Sequence, residues 1–321
     1  MDPNIGEAVY HCISRSVAQQ WLFDPVAQEV FRRQLWLAAE FCGLQLITYT
    51  ILSNHFHVTA RVPRKAPVSD QELLRRHQLL NSRPGKRGRK NLSIIKSQLA
   101  ANGPEAEKWR QSMLARMGDI SAFMKIWKQN FTIWFNHAHG RIGTLWASRF
   151  TSVLIQPEGQ APEFVSAYVD LNAVRADMVR DPKDYRFCGY AEAVIGHRKA
   201  REGLMSLYRT LSWKQTQAHY RQTLFGIGAE ARKGKASIRY EDFRQVIREK
   251  GLLPLSEVIL CRLRHFVHGG ILGTRAFVQE QIAAYEARTR KHPRIAPRSL
   301  PPCCEWGDLC TMRKVRESQA A

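Results

Sequence analysis

The chain is poor in acid and has no long apolar run. It carries 28 Asp and Glu against 49 Lys and Arg in 321 residues, a formal charge of +21, and its pI is near 10.1. No hydrophobic stretch approaches the roughly 18 residues that a membrane span needs, which argues against a membrane-spanning protein. C-x-x-C pairs are also missing. The seven cysteines are odd in number and scattered, and Cys303, Cys304 and Cys310 near His292 match no usual zinc spacing, so they read as free thiols. The first residues, Met1-Asp2-Pro3-Asn4-Ile5-Gly6-Glu7, lack the basic start and apolar core of a signal peptide, which leads to the expectation of a reducing cytoplasm. The excess positive charge calls for a polyanionic partner bound in a salt-sensitive way. Nucleic acid is the first expectation and an anionic membrane surface the weaker one.

With 44% hydrophobic residues the chain can bury substantial cores, and its length allows two domains. A first strand is expected over Ala8 to Ser14, from the alternation of Val9, His11 and Ile13 with Tyr10 and Cys12. A helix follows from Pro25, capped by Asp24 and stopped at Gly43. Leu46 to Ile51 and His55 to Val62 read as a hairpin around Ser53-Asn54. From Pro63 to about Gly118 strand signal fades; the basic run Arg83 to Lys90 suggests an insertion with a disordered middle and one or two short helices. Ile120, Phe123, Met124, Trp127, Phe131, Trp134 and Phe135 then follow helical spacing, and their aromatics read as core. Arg149 to Gln156 is the fourth strand, and Pro162 opens a helix that runs to about Arg180. The order strand, helix, strand, strand, helix, strand predicts an α+β, ferredoxin-like split βαβ antiparallel sheet with an added helix, one sheet face being left open to bind a partner.

Two features carry chemistry. Side chains at i and i+2 of a strand share a face, so His55 and His57 present paired imidazoles while Phe56 and Val58 point inward. Such a pair can hold a divalent ion and leave positions open for a third ligand and for substrate oxygens; two half-exposed strand histidines are the plain alternative. On the added helix Tyr168 and Asn172 stand at i and i+4 and meet on one surface. A tyrosine hydroxyl there can attack phosphorus, and an amide oxygen can complete a metal shell. A core-edge tyrosine with its hydroxyl in water is the competing reading. The second pair, His137 and His139, lies at a helix end beside Gly140 and reads as a basic loop.

The segments Ile51-Leu52-Ser53-Asn54-His55-Phe56-His57, Gly143-Thr144-Leu145-Trp146-Ala147-Ser148-Arg149-Phe150 and Tyr168-Val169-Asp170-Leu171-Asn172-Ala173-Val174-Arg175-Ala176 resemble, in that order, the single-tyrosine HUH transposases, and among them the REP-associated tyrosine transposases. The resemblance spans residues 5 to 195, with the insertion over 63 to 118 its least typical part. It implies a bacterial, DNA-associated enzyme that nicks and rejoins single-stranded or hairpin DNA through a 5′-phosphotyrosine. Tyr168 is then the nucleophile, and His55, His57 and Asn172 the ligands of Mg²⁺ or Mn²⁺. Arg175, Arg149, Trp146, Arg87, Arg89 and Lys90 are taken as DNA contacts; packing of Trp146 under the hairpin is an at least equal reading of that residue, and a solvated charged loop an equal one of the basic run. The chain has Asn172-Ala173 where the family commonly has Asn-Pro. A non-catalytic nucleic-acid binder on the same fold and a metallonuclease that uses water are the alternatives. A homodimer that shares tyrosine helices is compatible with the resemblance, though no interface pattern requires it.

Residues 196 to 321 are expected to form a basic, mainly helical C-terminal region. Helices around Leu255–Phe266 and from Thr274, joined at Gly269-Gly270, fit either a helix-turn-helix on duplex DNA or a plain helical hairpin, the more frequent outcome of such a pattern. The proline-containing tail after Arg288 reads as an extended arm, with packing around Trp306 as the alternative.

Overall fold

The structure is a computed structural model, and it describes residues 6–64, 66–80, 86–225, 255–260, 263–289, 295–302 and 304–313. The chain forms two compact units that interleave along the sequence: residues 1–7, 25–45 and 62–144 in the first, residues 8–24, 46–61 and 145–321 in the second.

The first unit is helical. Helix α1, Pro25–Cys42, ends where Gly43 takes a φ of +67°, a conformation that costs glycine nothing. The insertion is more ordered than its composition suggests. It holds α2 (Asp70–Leu80), α3 (Lys86–Ala101) and α4 (Pro104–Leu114). Ser69 accepts from the amide of Glu72 at the start of α2, and Pro104 opens α4 at a position where no amide hydrogen is needed. A two-armed Arg110–Asp70 pair, 2.8 Å on each arm, ties α4 to α2. The basic run is therefore helical from Lys86 onward rather than an open loop, while residues 81–85 lie outside the described part. Helix α5, Ile120–Ala138, starts at Asp119, whose carboxylate accepts from the amide of Ala122 at 2.6 Å. Its aromatics are core, as their spacing predicts: Trp127 stacks on Phe31 with ring centres 4.1 Å apart and donates its indole hydrogen to the Phe31 carbonyl.

The second unit holds the sheet. Strands β1 (Ala8–Arg15), β2 (Gln45–Ile51), β3 (His55–Val62) and β4 (Thr151–Ile155) come in the spatial order β2-β3-β1-β4. That is the order a split βαβ arrangement requires, and β1 runs antiparallel to β4 with His11 opposite Val153. The sheet then continues through β5 (Ile271–Thr274), β7 (Leu309–Thr311) and β6 (Arg298–Ser299), with β5 parallel to β4 and antiparallel to β7. The fold is α+β, as expected.

The tyrosine-bearing helix is shorter than its hydrophobic pattern suggests. It comprises α6 (Ala161–Asp170) and the single turn α7 (Asn172–Arg175), with Leu171 off helical geometry between them and Asp177 at φ +56° closing the run. At 100° steps Phe164, Ala167, Leu171, Val174 and Met178 fall on one stripe of this run, with Val169 and Ala173 roughly opposite; Phe164, Ala167, Leu171 and Val174 are buried, but so are Val169 and Ala173. Protein covers both faces, and Met178, expected on the stripe, is exposed. Helices α8 (Gly189–Val194), α9 (Arg198–Met205) and α10 (Trp213–Phe225) follow. Beyond them come α11 (Leu255–Leu260), α12 (Arg264–His268) and α13 (Arg275–Thr289).

Among the described residues after 195 helices predominate, yet three short strands are added. The Gly269-Gly270 turn leads α12 into β5, so a strand separates the two helices expected to form a helix-turn-helix or helical hairpin. The tail is no free arm between residues 295 and 313. It supplies β6 and β7, and Trp306 is buried against Phe164 and Phe266.

Among the described residues no helix is long and apolar enough to cross a membrane. Cys12, Cys42, Cys188, Cys304 and Cys310 are buried free thiols, while Cys261, Cys303 and His292 lie outside the described residues.

Candidate functional site

The hairpin places His55 and His57 as their spacing predicts. Phe56 and Val58 are fully buried, and the two imidazoles meet edge to face with centres 5.4 Å apart. His57, however, does not look onto an open sheet face. It is 5% exposed, because α6 and α12 cover that face with Tyr168 and Phe266.

Each imidazole has its Nδ1 engaged. His55 Nδ1 lies 2.6 Å from Asn54 Oδ1, an atom that can only accept, so Nδ1 carries a hydrogen. His57 Nδ1 lies 2.9 Å from Nε2 of His11 on the neighbouring strand β1, and His11 Nδ1 lies 2.8 Å from the Phe266 carbonyl. His11 is thus a member of the cluster that spacing within one segment could not reveal, because the contact joins strands 46 residues apart. Burial holds His11 at about 4 and pushes His57 well below the ordinary imidazole range, with neighbouring positive charge adding to the effect. Both rings are therefore neutral at pH 7, the state in which imidazole binds a metal.

Tyr168 packs edge-on against both imidazoles, 6.1 Å from His11 and 6.0 Å from His57 between ring centres, and against Phe266 at 5.5 Å. It is 2% exposed, which replaces the sequence picture of a core-edge tyrosine with its hydroxyl in water. Asn172 points its amide nitrogen back at the carbonyls of Tyr168 and Val169, at 3.2 and 3.1 Å. Its Oδ1 is the end not committed to the helix, and an amide oxygen suits a hard cation. Among the described residues no three His, Cys, Asp or Glu side chains converge into a complete metal cage. An ion at the histidines would thus depend on imidazole nitrogens together with amide or substrate oxygens, and the donor set fits that.

The expected DNA contacts divide. Arg149 and Lys90 are exposed, while the side chains of Arg87 and Arg89 fall outside the described residues. Arg175 is turned inward: it donates to the Tyr168 carbonyl at 2.6 Å and to the Ile259 carbonyl at 3.1 Å, with its guanidinium 4.0 Å from the Tyr168 ring centre. Trp146 packs beneath the hairpin against Phe23 and Phe56, so its ring serves the core instead of a base. The reason is local. The Ser16–Trp146 bridge and the bond from Val17 to the Leu145 carbonyl draw this loop onto the end of β1.

One solved structure resembles this chain. It is a REP-associated tyrosine transposase bound to a REP hairpin, matched with 13% identity and a TM-score of 0.34 over 60% of this chain and 81% of that one. No protein-family model matches the sequence, and no curated protein does.

A buried polar group missed in the sequence lies two residues beyond the tyrosine. Asp170 is fully buried and accepts from the Thr48 hydroxyl at 2.6 Å, the Cys188 thiol at 3.1 Å, the Tyr190 amide at 3.4 Å and the Tyr220 hydroxyl. These donors fix α6 to β2 and to the segment of α8 and α10, and so set where Tyr168 stands.

Proposed function

We propose that this protein is a divalent-metal-dependent enzyme that cleaves and rejoins single-stranded DNA through Tyr168. What carries the reading is one cluster: two imidazoles whose Nδ1 atoms are both engaged, with Tyr168 packed 6.0 Å from one of them, in a chain of net charge +21.

In this reading the Tyr168 hydroxyl loses its proton and its oxygen attacks the scissile phosphorus. The bond from phosphorus to the 3′ oxygen breaks, and that oxygen takes up a proton. The 5′ phosphate stays esterified to Tyr168, which stores the phosphodiester energy for reversal by a 3′-hydroxyl. Bound by His55, His57 and Asn172, Mg²⁺ or Mn²⁺ would supply Lewis-acid polarisation of the phosphate. Arg175 holds the tyrosine ring, and the burial of His57 beside it keeps that ring neutral. Exposed Arg149 and Lys90 supply phosphate contacts.

The burial of Tyr168 favours a second reading, a DNA-binding protein that does no chemistry. The two separate in one experiment. Labelled single-stranded and hairpin oligonucleotides are incubated with Mn²⁺ or EDTA, and wild type is compared with Tyr168→Phe on a denaturing gel. A metal-dependent DNA–protein adduct absent from the variant supports the enzyme. Cleavage without adduct, surviving the substitution, would point to water as the nucleophile, and binding with no cleavage to the binder.

A further inference from the structure

His11 belongs to no motif read from the sequence, yet it is fully buried and bonded at both ring nitrogens. The direction of these bonds is determined by chemistry. The Phe266 carbonyl can only accept, so His11 Nδ1 carries a hydrogen. In a buried neutral ring His11 Nε2 then has a lone pair and must accept. The hydrogen between the two rings, whose nitrogens are 2.9 Å apart, consequently belongs to His57 Nδ1, and His57 Nε2 is left basic.

We propose that His11 is a positioning residue that holds His57 in its Nδ1–H form, so that Nε2 is the nitrogen offered to a ligand. An isolated imidazole slightly favours the opposite tautomer, with the hydrogen on Nε2, which cannot bind a metal through that atom. The relay from the Phe266 carbonyl through His11 reverses this preference. It also restrains the His57 ring, which lies within 21° of parallel to His11 at a centre separation of 5.1 Å. A partner on the other nitrogen of a ligating histidine typically changes metal affinity about 10- to 100-fold. The metal part of this inference rests on the function proposed above; the tautomer part does not.

The test is nitrogen NMR of histidine-labelled, metal-free protein, with the His57 signals assigned by their loss in His57→Gln. Wild type should show His57 protonated at Nδ1. His11→Phe, which offers neither donor nor acceptor, should shift His57 toward the Nε2–H form and weaken Mn²⁺ binding, followed by EPR of the free ion, at least tenfold. His11→Gln, which can still accept from His57, should retain most of both. An Nε2–H form of His57 in wild type would overturn the proposal even if His11→Phe failed to fold. So would a folded His11→Phe protein with the tautomer unchanged. If wild type showed the Nδ1–H form but bound no Mn²⁺, the positioning role would stand and the metal reading would fall.

Discussion

Arg175 stacks its guanidinium over the Tyr168 ring and donates to that residue's own carbonyl, seven residues back along the chain. The second arm reaches the Ile259 carbonyl, so one side chain fixes the tyrosine both to its helix and to α11. An arginine in this position is a poor candidate for holding phosphate.

Replacement of Arg175 by alanine should therefore leave DNA affinity within about twofold while lowering adduct formation at least tenfold. It should also destabilise the protein by about 2 kcal/mol, from two charge-assisted bonds and a buried cation–π contact. Arg149→Ala should behave oppositely: its side chain is exposed, and its loss should reduce the slope of log affinity against log salt by about 0.7 per single-strand phosphate contact. Filter binding across a salt series and a denaturing gel measure both. A steep loss of affinity in Arg175→Ala with an unchanged adduct rate would restore it as a DNA contact.

Asp170 predicts a pH dependence of stability. Burial raises its carboxyl to about 6 against the pull of its four donors. The folded group binds its proton more tightly than the unfolded chain does. Its contribution is thus complete below about pH 4 and lost as pH rises through about 6. His11, held at about 4, works the other way, losing stability as pH falls from about 6.5. Comparison with Asp170→Asn removes that overlap: the stability difference between wild type and variant should move against wild type by up to about 3 kcal/mol between pH 4 and pH 7. Urea titrations at the two pH values measure it, and a pH-independent difference would contradict the assignment.

Gly203 has no room for a side chain. On α9 its Cα faces β2 so closely that a Cβ would fall well inside contact with the Leu46 carbonyl oxygen, with the Ile47 carbonyl 3.0 Å away. Gly203→Ala should cost about 3 kcal/mol or more despite alanine's higher helix propensity. A melting temperature within a degree or two of wild type would show that α9 does not pack this tightly.

The local signals were legible in the sequence. The H-x-H hairpin, the aromatic stripe of α5 and the opening strand-helix-strand-strand order are short-range patterns, and the structure has them within a residue or two of their expected ends. What stayed hidden depends on residues far apart in the chain. Trp146 and Arg175 sit in segments that invite a DNA role, but a tryptophan on a surface loop and one drawn under a hairpin have the same spacing. The inward turn of Arg175 depends on a carbonyl 84 residues away. The same distance effect hid His11, which alternation alone marked as an ordinary strand residue. The glycine pair at Gly269-Gly270 marks a turn, while the strands that make Ile271–Thr274 part of the sheet are β4, more than a hundred residues earlier, and β7, further along the chain.

The bond from His11 to the Phe266 carbonyl spans 255 residues. A ribosome makes the histidine long before its acceptor exists. The hairpin and the tyrosine helix can be complete on the nascent chain while the imidazole network still lacks its anchor. The order of synthesis thus becomes a timing device: the nitrogen that faces the ligand is chosen only when one of the late segments has docked.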